Sequence, residues 1–330
     1  MAIMANGFDV LTPGVYTTLQ DAGRFGFEDR GVPPSGAMDE MSFAIANALV
    51  GNTEAMGALE FTLTGATLRL AGSAPCRFAV TGDMHMTLDD VVLPPYCRHS
   101  MQPGSTLRVI RARSGARSGA RGYLAVAGGF AVAPVMGSQS TLARAALGGF
   151  NGRPLQKGDW LPLAATRHAG PPTDSLPVQQ LMPQRERRPI RVVVGPQQTH
   201  FSQAGLASFL AGEYRVSGES DRMGYRLSGP PVPHLQGFNI VSDAISRGSI
   251  QIPGNGQPII AMNDRQTTGG YPKIATVIRA DLARLGQQKP GDSLRFEQVS
   301  VEKAESLWIG RHQHLQRWLA ELRAAAQPGE

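Results

Sequence analysis

The chain has 330 residues, of which 39 are glycine, 24 are proline, 42% are hydrophobic and 18% are charged. This composition excludes a disordered chain, which combines low hydrophobicity with high charge, and the many turn formers argue against a helical bundle. It is typical of a β-rich globular protein, and the length allows one large domain or two of ordinary size.

The net charge is +6. We interpret the one dense basic stretch as a solvated loop rather than as a surface that binds nucleic acid. The dense basic stretch coincides with the local duplication ARSGARSGARG, which is typical of a flexible insertion, whereas nucleic-acid binders gather bases into a patch. Two cysteines are too few for a disulfide framework or a structural zinc site. No signal peptide is visible, and no apolar run approaches the ~20 residues of a membrane span. We therefore expect a cytoplasmic protein with free thiols and with neither a membrane nor a nucleic-acid partner.

Short apolar or alternating runs bounded by turn residues predict strands along the whole chain. They are Thr67–Leu70, Arg77–Thr81, Leu107–Ile110, Tyr123–Ala127, Ile190–Val194, Ser249–Ile252, Pro258–Met262, Ala275–Ile278 and Ser293–Glu297. Their spacing favours sandwiches or barrels over a βαβ array.

Helical periodicity is rare. Apolar spacing predicts helices over Asp39–Leu49, Ser202–Leu210 and Val301–Ala325. The proline-rich, polar stretch Thr166–Pro189 is typical of a linker. We therefore predict two β domains, residues 1–175 and residues 176–330, the second ending in the C-terminal helix.

Three polar loops concentrate glycine with Ser, Thr, Asp, Arg and Gln. In the first, Thr17–Asp39, Arg24 is a forked donor suited to a carboxylate or phosphate, Ser35 could accept or relay a proton, and Asp39 could do so or instead cap the following helix. The second, Ser217–Gly229, either contributes Asp221 and Arg222 to a site or is a loop held by an Asp–Arg pair.

The third loop, Asp264–Tyr271, follows a predicted strand and carries almost no apolar side chain. Its Thr–Thr–Gly–Gly turn either offers hydroxyl and N–H donors to an anion or carbonyl oxygen or is a tight hairpin. Together the loops supply the candidate binding residues, which are Gln20, Ser35, Gly36, Met38, Met223, Gly224, Gln266, Thr267, Thr268, Gly269, Gly270 and Tyr271.

Familiar catalytic motifs are missing from the sequence. There is no P-loop, no dinucleotide fingerprint, no G-x-S-x-G elbow and no H-E-x-x-H pair. The seven histidines are scattered, so no metal site is predicted. Composition and spacing alone therefore stop at a β-rich protein with polar glycine loops.

Longer motifs carry a family resemblance. The stretches TTLQDAGRFGFEDRGVPPSGAMD, ALEFTLTGATLRL, SDRMGYRLSG, GSIQIPGNGQPIIAMNDRQTTGGYPKIATVIRADL and KPGD together resemble the biotin-dependent carboxyltransferase family. This family includes allophanate hydrolase subunit 2 and the C subunit of 5-oxoprolinase, and it is related to the carboxyltransferase domain of urea carboxylase. The resemblance runs from about Gly14 to about Phe296 and implies two cyclophilin-like β-barrel domains with few short helices.

The resemblance also implies an activity. It implies a subunit of a complex that opens the lactam of 5-oxoproline to L-glutamate with ATP and Mg²⁺. Its partners would be a small protein like the B subunit of 5-oxoprolinase and a lactam-utilisation protein like the A subunit of that enzyme. Arg24 and Arg222 would then face phosphate or the substrate carboxylate. Four aspartates are candidates for acid–base work or Mg²⁺, namely Asp21, Asp39, Asp221 and Asp264.

Two alternatives stay open at this point. One is a carboxyltransferase subunit that uses biotin and a urea-like or amide-like acceptor, although this chain has no biotinylation motif. The other is a non-catalytic regulatory partner of the small subunit, docked through the C-terminal stripe that contains Trp308, Trp318 and Leu322; the same stripe could instead cap a barrel of its own chain. There are two departures from the family pattern. Asp243 in place of Glu keeps the carboxylate but shortens the side chain by one methylene, and Gln139 in place of Arg loses a cation, which bears on the substrate.

Overall fold

The computed structural model describes residues 6–111, 119–164 and 188–326. Backbone contacts divide the chain into two compact units. Unit 1 comprises the described parts of Met1–Arg24, Ser35–Gln184 and Leu315–Glu330, and unit 2 comprises those of Phe25–Pro34 and Arg185–His314. The predicted boundary at residues 175 and 176, most of the predicted linker and the centre of the arginine-rich duplication lie outside the described residues.

Unit 1 contains two antiparallel sheets. The first is six-stranded with the order β11-β1-β4-β9-β6-β7, and the second is five-stranded with the order β2-β3-β10-β5-β8. The strands are β1 (Gly7–Thr12), β2 (Tyr16–Gln20), β3 (Ala58–Thr62), β4 (Thr67–Ala71), β5 (Cys76–Gly82), β6 (Met84–Leu88), β7 (Val91–Leu93), β8 (Arg98–Met101), β9 (Thr106–Arg111), β10 (Arg121–Val126) and β11 (Trp160–Pro162).

The five-stranded sheet of unit 1 is covered on both faces. Phe78 and Leu124 contribute to a core that also contains Phe8 and Leu68 of the six-stranded sheet. On the opposite face, Tyr123 and its neighbours pack in a second cluster with helix α1 (Glu40–Leu49). This double coverage explains why every residue of β10 is buried, since alternation is lost when both faces of a strand are covered.

Unit 2 is built on an eight-stranded sheet with the order β20-β13-β14-β17-β16-β19-β12-β21 and a two-stranded sheet, β15-β18. The pair β12–β21 is parallel. The helices are α2 (Gln203–Ala211) and α3 (Arg279–Gly286). The strands are β12 (Ile190–Val194), β13 (Tyr214–Val216), β14 (Gly224–Ser228), β15 (Asp243–Ala244), β16 (Ser249–Gln251), β17 (Ile259–Ala261), β18 (Thr268–Gly269), β19 (Lys273–Val277), β20 (Ser293–Leu294) and β21 (Phe296–Gln298).

Helix α4 (Val301–Ala326) follows the last strand. Its Leu319 and Leu322 are buried in the cluster around α1, and Arg98 donates to the carbonyl oxygen of Ala325 at 2.8 Å. These contacts satisfy orphan carbonyls at the helix end. The helix therefore covers unit 1 of its own chain, as one of the two interpretations of its apolar stripe predicted.

The mainly-β fold with few short helices and a C-terminal helix is confirmed. Helices α1 and α2 each begin one residue later than predicted, because Asp39 and Ser202 are their N-cap residues and not their first helical residues. Helix α3 was not predicted, and the predicted strand Ser293–Glu297 is divided between β20 and β21. None of the four helices in the described residues is long and apolar enough to cross a membrane.

Candidate functional site

Two of the predicted polar loops meet in unit 2. The strands β14 and β17 are antiparallel partners, and their pairing continues beyond the strand ends: Met262 N donates to Met223 O, and Asp264 N donates to Arg222 O, both at 2.8 Å. The second and third loops are therefore neighbours, because the second leads into β14 and the third leaves β17 at the same end of this antiparallel pair.

Arg222 and Asp264 form a buried, two-pronged ion pair. Arg222 Nε lies 2.9 Å from Asp264 Oδ2, and Nη2 lies 3.1 Å from Oδ1. Only 6% and 8% of the two side chains are exposed. One interpretation of the second loop predicted an Asp–Arg pair within that loop, but Arg222 pairs instead with Asp264 of the third loop.

Asp221 stabilises its own turn instead. Its Oδ1 accepts hydrogen bonds from Met223 N at 2.8 Å and Gly224 N at 3.2 Å. The exposed side chain of Asp221 thus forms a local turn of the kind that aspartate favours, and it directs the chain into β14.

Arg265 fixes the next position of the third loop. Its Nε donates to Ile245 O at 2.8 Å, and its Nη2 lies 2.5 Å from Glu28 Oε1. Burial lowers the pKa of Arg265, and the charge of Arg247 lowers it further, while Glu28 opposes both effects. Glu28 was not predicted to belong here, because 237 residues separate it from Arg265.

The end of the third loop has a different character. Gln266 and Thr268 are exposed, Thr267 is half-buried, and their side chains make no hydrogen bond to any described residue. Asp264 and Arg265, at the base of the loop, thus form ion pairs. Gln266, Thr267 and Thr268, which we call the loop tip, present amide and hydroxyl groups that have no such partner. Such uncommitted polar groups on a fixed support are suited to a ligand.

The glycines of this loop serve packing rather than a left-handed turn. Neither Gly269 nor Gly270 has a positive φ, whereas Tyr271 has a φ of 84°. A Cβ on Gly269 would lie 2.9 Å from Ile245 Cδ1. The turn therefore does not depend on a left-handed glycine, and its left-handed residue is the tyrosine that follows. A non-glycine residue in this region is strained, and such strain is found often at functional sites.

A second ion pair lies beside the loop tip. Lys273 Nζ lies 2.6 Å from Asp243 Oδ2. A hydrogen bond from Lys273 is the main cause that lowers the pKa of Asp243. The sequence singled out Asp243 only as a departure from the family pattern, and it gave no role to Lys273.

In unit 1, Asp21 organises the segment that contains Gln139. Its carboxylate accepts from Gly23 N at 2.8 Å, Ser138 Oγ at 2.7 Å and Gln139 N at 2.6 Å, and from Ser140 Oγ. Protein donors therefore occupy the carboxylate of Asp21. This carboxylate holds the segment around Gly23 against the segment Ser138–Ser140.

Gln20 and Arg24 bind the same region. Arg24 is 1% exposed, and it donates to Val135 O at 3.0 Å and Ser140 O at 2.9 Å. Gln20 is buried and donates to Thr141 O at 3.1 Å. The guanidinium of Arg24 thus donates to backbone carbonyl groups of its own unit. These hydrogen bonds are structural, whereas the family resemblance implied that Arg24 faces phosphate or the substrate carboxylate.

The segment from Ser35 to Asp39 leads into α1. Ser35 and Gly36 have φ values of 56° and 82°, and Ala37 N donates to Asp21 O at 3.0 Å. Asp39 accepts from Met41 N and Ser42 N, both at 3.1 Å. The capping role of Asp39, which the sequence left open, is confirmed.

Two residues that were not predicted, Glu60 and Tyr123, form hydrogen bonds with the backbone of this segment. Glu60 Oε2 accepts from Met38 N at 2.8 Å and from the Tyr123 hydroxyl at 2.7 Å, and that hydroxyl accepts from Asp39 N at 2.8 Å. Burial raises the pKa of Tyr123, and the charge of Glu60 adds to this effect. Only a fold could reveal the pair, because 63 residues separate its members.

The described residues contain no group of three or more His, Cys, Asp or Glu side chains placed to hold a metal ion. The aspartates named as candidates are engaged with backbone donors or with arginine. The structure therefore places Arg222, Asp264 and the third loop together in unit 2, and Gln20, Asp21, Arg24 and the segment Ser35–Asp39 together in unit 1.

These two β-rich units with their polar loops are characteristic of a carboxyltransferase-type protein. The chain belongs to the family described as carboxyltransferase domain, subdomain A and B, whose model matches residues 30–298.

The relatives extend the match over nearly the whole chain. The C subunit of 5-oxoprolinase from Escherichia coli (strain K12) is 38% identical over 314 residues, which are 95% of this chain and 96% of that protein. The C subunit of 5-oxoprolinase from Haemophilus influenzae is 39% identical over 300 residues, 91% of this chain and 93% of the relative.

A solved structure shows the same architecture in a larger protein. The crystal structure of Kluyveromyces lactis urea carboxylase matches with a TM-score of 0.84 and 30% identity. The match covers 98% of this chain but 30% of that one, so this chain corresponds to one part of urea carboxylase.

Proposed function

We propose that this chain is a subunit of a 5-oxoprolinase complex, which opens the lactam of 5-oxoproline to L-glutamate with hydrolysis of ATP. The observation that carries the proposal is the 38% identity to the C subunit of Escherichia coli 5-oxoprolinase over 96% of that protein. The proposed partners are a small protein like the B subunit of 5-oxoprolinase and a lactam-utilisation protein like the A subunit of that enzyme. The activity belongs to the complex.

The loop tip of unit 2 suits this substrate class. Opening of a lactam places negative charge on the carbonyl oxygen, and fixed donors aimed at that oxygen lower the barrier. Thr267, Thr268 and Gln266 provide hydroxyl and amide donors without an internal partner in the described residues. The Arg222–Asp264 pair would keep their backbone in place, so it supports the site without touching the substrate.

A self-contained Mg²⁺–nucleotide site does not fit the residues that the structure describes. Mg²⁺ in such sites is bound by one or two carboxylates together with phosphates, but Asp21 already accepts four internal hydrogen bonds and Asp264 is paired with Arg222. We therefore assign no step to the nucleotide on this chain and propose that the partner proteins contribute its site.

The loop tip provides the test. In the complex with its cognate subunits, we expect Thr267→Val and Thr268→Val together to lower kcat/KM for 5-oxoproline by at least about 10²-fold, because the loss of a single such donor already costs about that much. The measurement is glutamate formed, with ATP hydrolysis followed in parallel. Thr12→Val, an exposed threonine of β1, is the control and should leave both rates unchanged. A complete wild-type complex that forms no glutamate would contradict the proposal.

A second candidate is a carboxyltransferase subunit that moves a carboxyl group from carboxybiotin to a urea-like or amide-like acceptor. The likeness to urea carboxylase over 98% of this chain favours it. The biotin carrier would be a separate protein. Transfer of labelled carboxyl from carboxybiotin to urea by the purified complex, without glutamate formation from 5-oxoproline, would replace the first proposal with this one.

A further inference from the structure

The loop tip of unit 2 belongs to a small arm that cannot hold its own position. Strands β15 and β18 contain two residues each and pair Asp243 with Gly269 and Ala244 with Thr268. Ile245 N adds a hydrogen bond to Thr267 O at 2.9 Å. An isolated two-stranded ribbon is marginal even when it is much longer, so other contacts must fix the place of Thr267 and Thr268.

Lys273 of the large sheet and Arg265 of the third loop supply these contacts. Lys273, in β19, directs Nζ to Asp243 Oδ2 at 2.6 Å and to Ala244 O at 3.1 Å. Arg265 binds the next carbonyl, Ile245 O, at 2.8 Å. Three consecutive residues of the arm are thus each held by a cation whose backbone lies outside β15.

Gln197 closes the arrangement. Its Nε2 donates to Asp243 Oδ2 at 3.1 Å, and its Oε1 accepts from Lys273 N at 3.2 Å. The amide therefore couples the carboxylate of the arm to the backbone of β19, and it restricts Asp243 to one orientation.

The environments of the two charges are unequal. The Lys273 side chain is 5% exposed, whereas that of Asp243 is 50% exposed. An arm that moved away would leave a buried ammonium without its carboxylate, which is strongly unfavourable. Movement of the arm away from the sheet is therefore unfavourable because Lys273 would lose its partner, and this holds the arm on the sheet.

We propose that Asp243 is a positioning residue: through Lys273 and Gln197 it sets the place of Thr267 and Thr268 for substrate binding. This inference rests on the proposed function of the loop tip. It assigns to Asp243 no contact with the substrate, and it predicts that both the charge and the length of this side chain matter.

The experiment uses the full chain in its complex and two variants. Asp243→Asn removes the charge, and Asp243→Glu keeps it but lengthens the side chain by one methylene. We expect both to raise KM for 5-oxoproline by about tenfold with a smaller change in kcat, because small misplacements of binding groups are costly. Glu213→Gln removes an exposed ion pair with Arg295 in the same unit and should leave KM unchanged.

Hydrogen exchange separates this inference from the proposed function. Backbone amides of residues 243–245 and 267–269 should exchange faster in Asp243→Asn than in wild type, whether or not glutamate is formed. Unchanged exchange in these segments would overturn the anchor. Faster exchange with an unchanged KM in an active complex would overturn the positioning role alone, and an inactive wild-type complex would count against the proposed function instead.

Discussion

Asp281 shows how a fully buried carboxylate is kept charged. It is 0% exposed, and Arg191 Nη2 lies 2.6 Å from Oδ1 while Arg284 Nη2 lies 3.0 Å from Oδ2. Burial by itself would raise the pKa of Asp281, but hydrogen bonds from Arg191 and the charge of Arg284 outweigh it and lower the pKa. The ion triad fixes α3 to β12.

Asp281→Asn should destabilise the protein by about 3 kcal/mol, because it leaves two guanidinium groups beside a neutral amide in a buried site. Urea unfolding at neutral pH measures the change. The control is Asp9→Asn, since the Asp9–Arg69 pair has a similar distance of 2.8 Å, but its two side chains are 33% and 52% exposed. This variant should cost less than about 1 kcal/mol. Equal losses in the two variants would contradict this account.

The same carboxylate gives a pH dependence with a definite sign. Because the folded-state pKa of Asp281 is lowered, its contribution is complete above about pH 4, the ordinary pKa of an unfolded aspartate. It is lost as the pH falls from there through the lower folded-state pKa. The loss of stability on acidification from pH 6 to pH 3 should therefore be smaller in Asp281→Asn than in wild type.

Asp39 is a cap, and its variants should behave as cap variants. Asp39→Ala should lower the free energy of unfolding by about 1–2 kcal/mol, because two N–H groups at the start of α1 lose their acceptor. Asp39→Asn retains a capping oxygen and should cost less. Circular dichroism during urea unfolding distinguishes the two, and an asparagine variant as unstable as the alanine variant would argue against the cap.

At the scale of elements, the C-terminal end of α4 packs in the core of unit 1. Leu319 and Leu322 enter the cluster around α1, while earlier in the helix Arg279 lies over the ring of Trp308 at 4.2 Å. The apolar stripe is therefore divided between core packing and a cation–π contact, and it follows the helical period along which the sequence predicted it.

Leu319→Ala should destabilise the protein by about 3 kcal/mol, since a buried leucine leaves a cavity. Ile309→Ala, on the same helix but 54% exposed, should change stability by less than about 0.5 kcal/mol. Thermal and urea unfolding of both variants provide the comparison. A neutral Leu319 variant would show that this end of α4 does not belong to the core.

Element types were predictable where the signal was local. The helix over Asp39–Leu49 combines an apolar period with a capping aspartate, and the strands of unit 1 alternate or are continuously apolar. Helix α3 lacks such a start signal, because its N-cap, Ile278, makes no side-chain capping bond. The arm β15–β18 was equally invisible, because two-residue strands carry no periodicity.

At the scale of the whole molecule, both cysteines belong to unit 1. Cys76 and Cys97 are free and buried. Burial raises the pKa of Cys76 to about 12 and raises that of Cys97 as well. Since the thiolate is the reactive form, the two thiols report on the integrity of this unit.

Neither thiol should react with Ellman's reagent in the folded protein at pH 8, and both should react in denaturant. Reaction during a urea titration should therefore follow the unfolding of unit 1 and should begin earlier in Leu319→Ala. Rapid reaction of the folded wild-type protein would contradict the burial of these side chains.

The sequence by itself determined the mainly-β class, the C-terminal helix and the family, because composition, period and long ordered motifs are properties of the chain in order. It also located the polar loops. The tertiary structure alone decided which charges meet: Asp264 takes Arg222, 42 residues away, while Asp221 turns to its own backbone. Ion pairing depends on which strands are neighbours and in what register, and that information arises only when distant segments fold together.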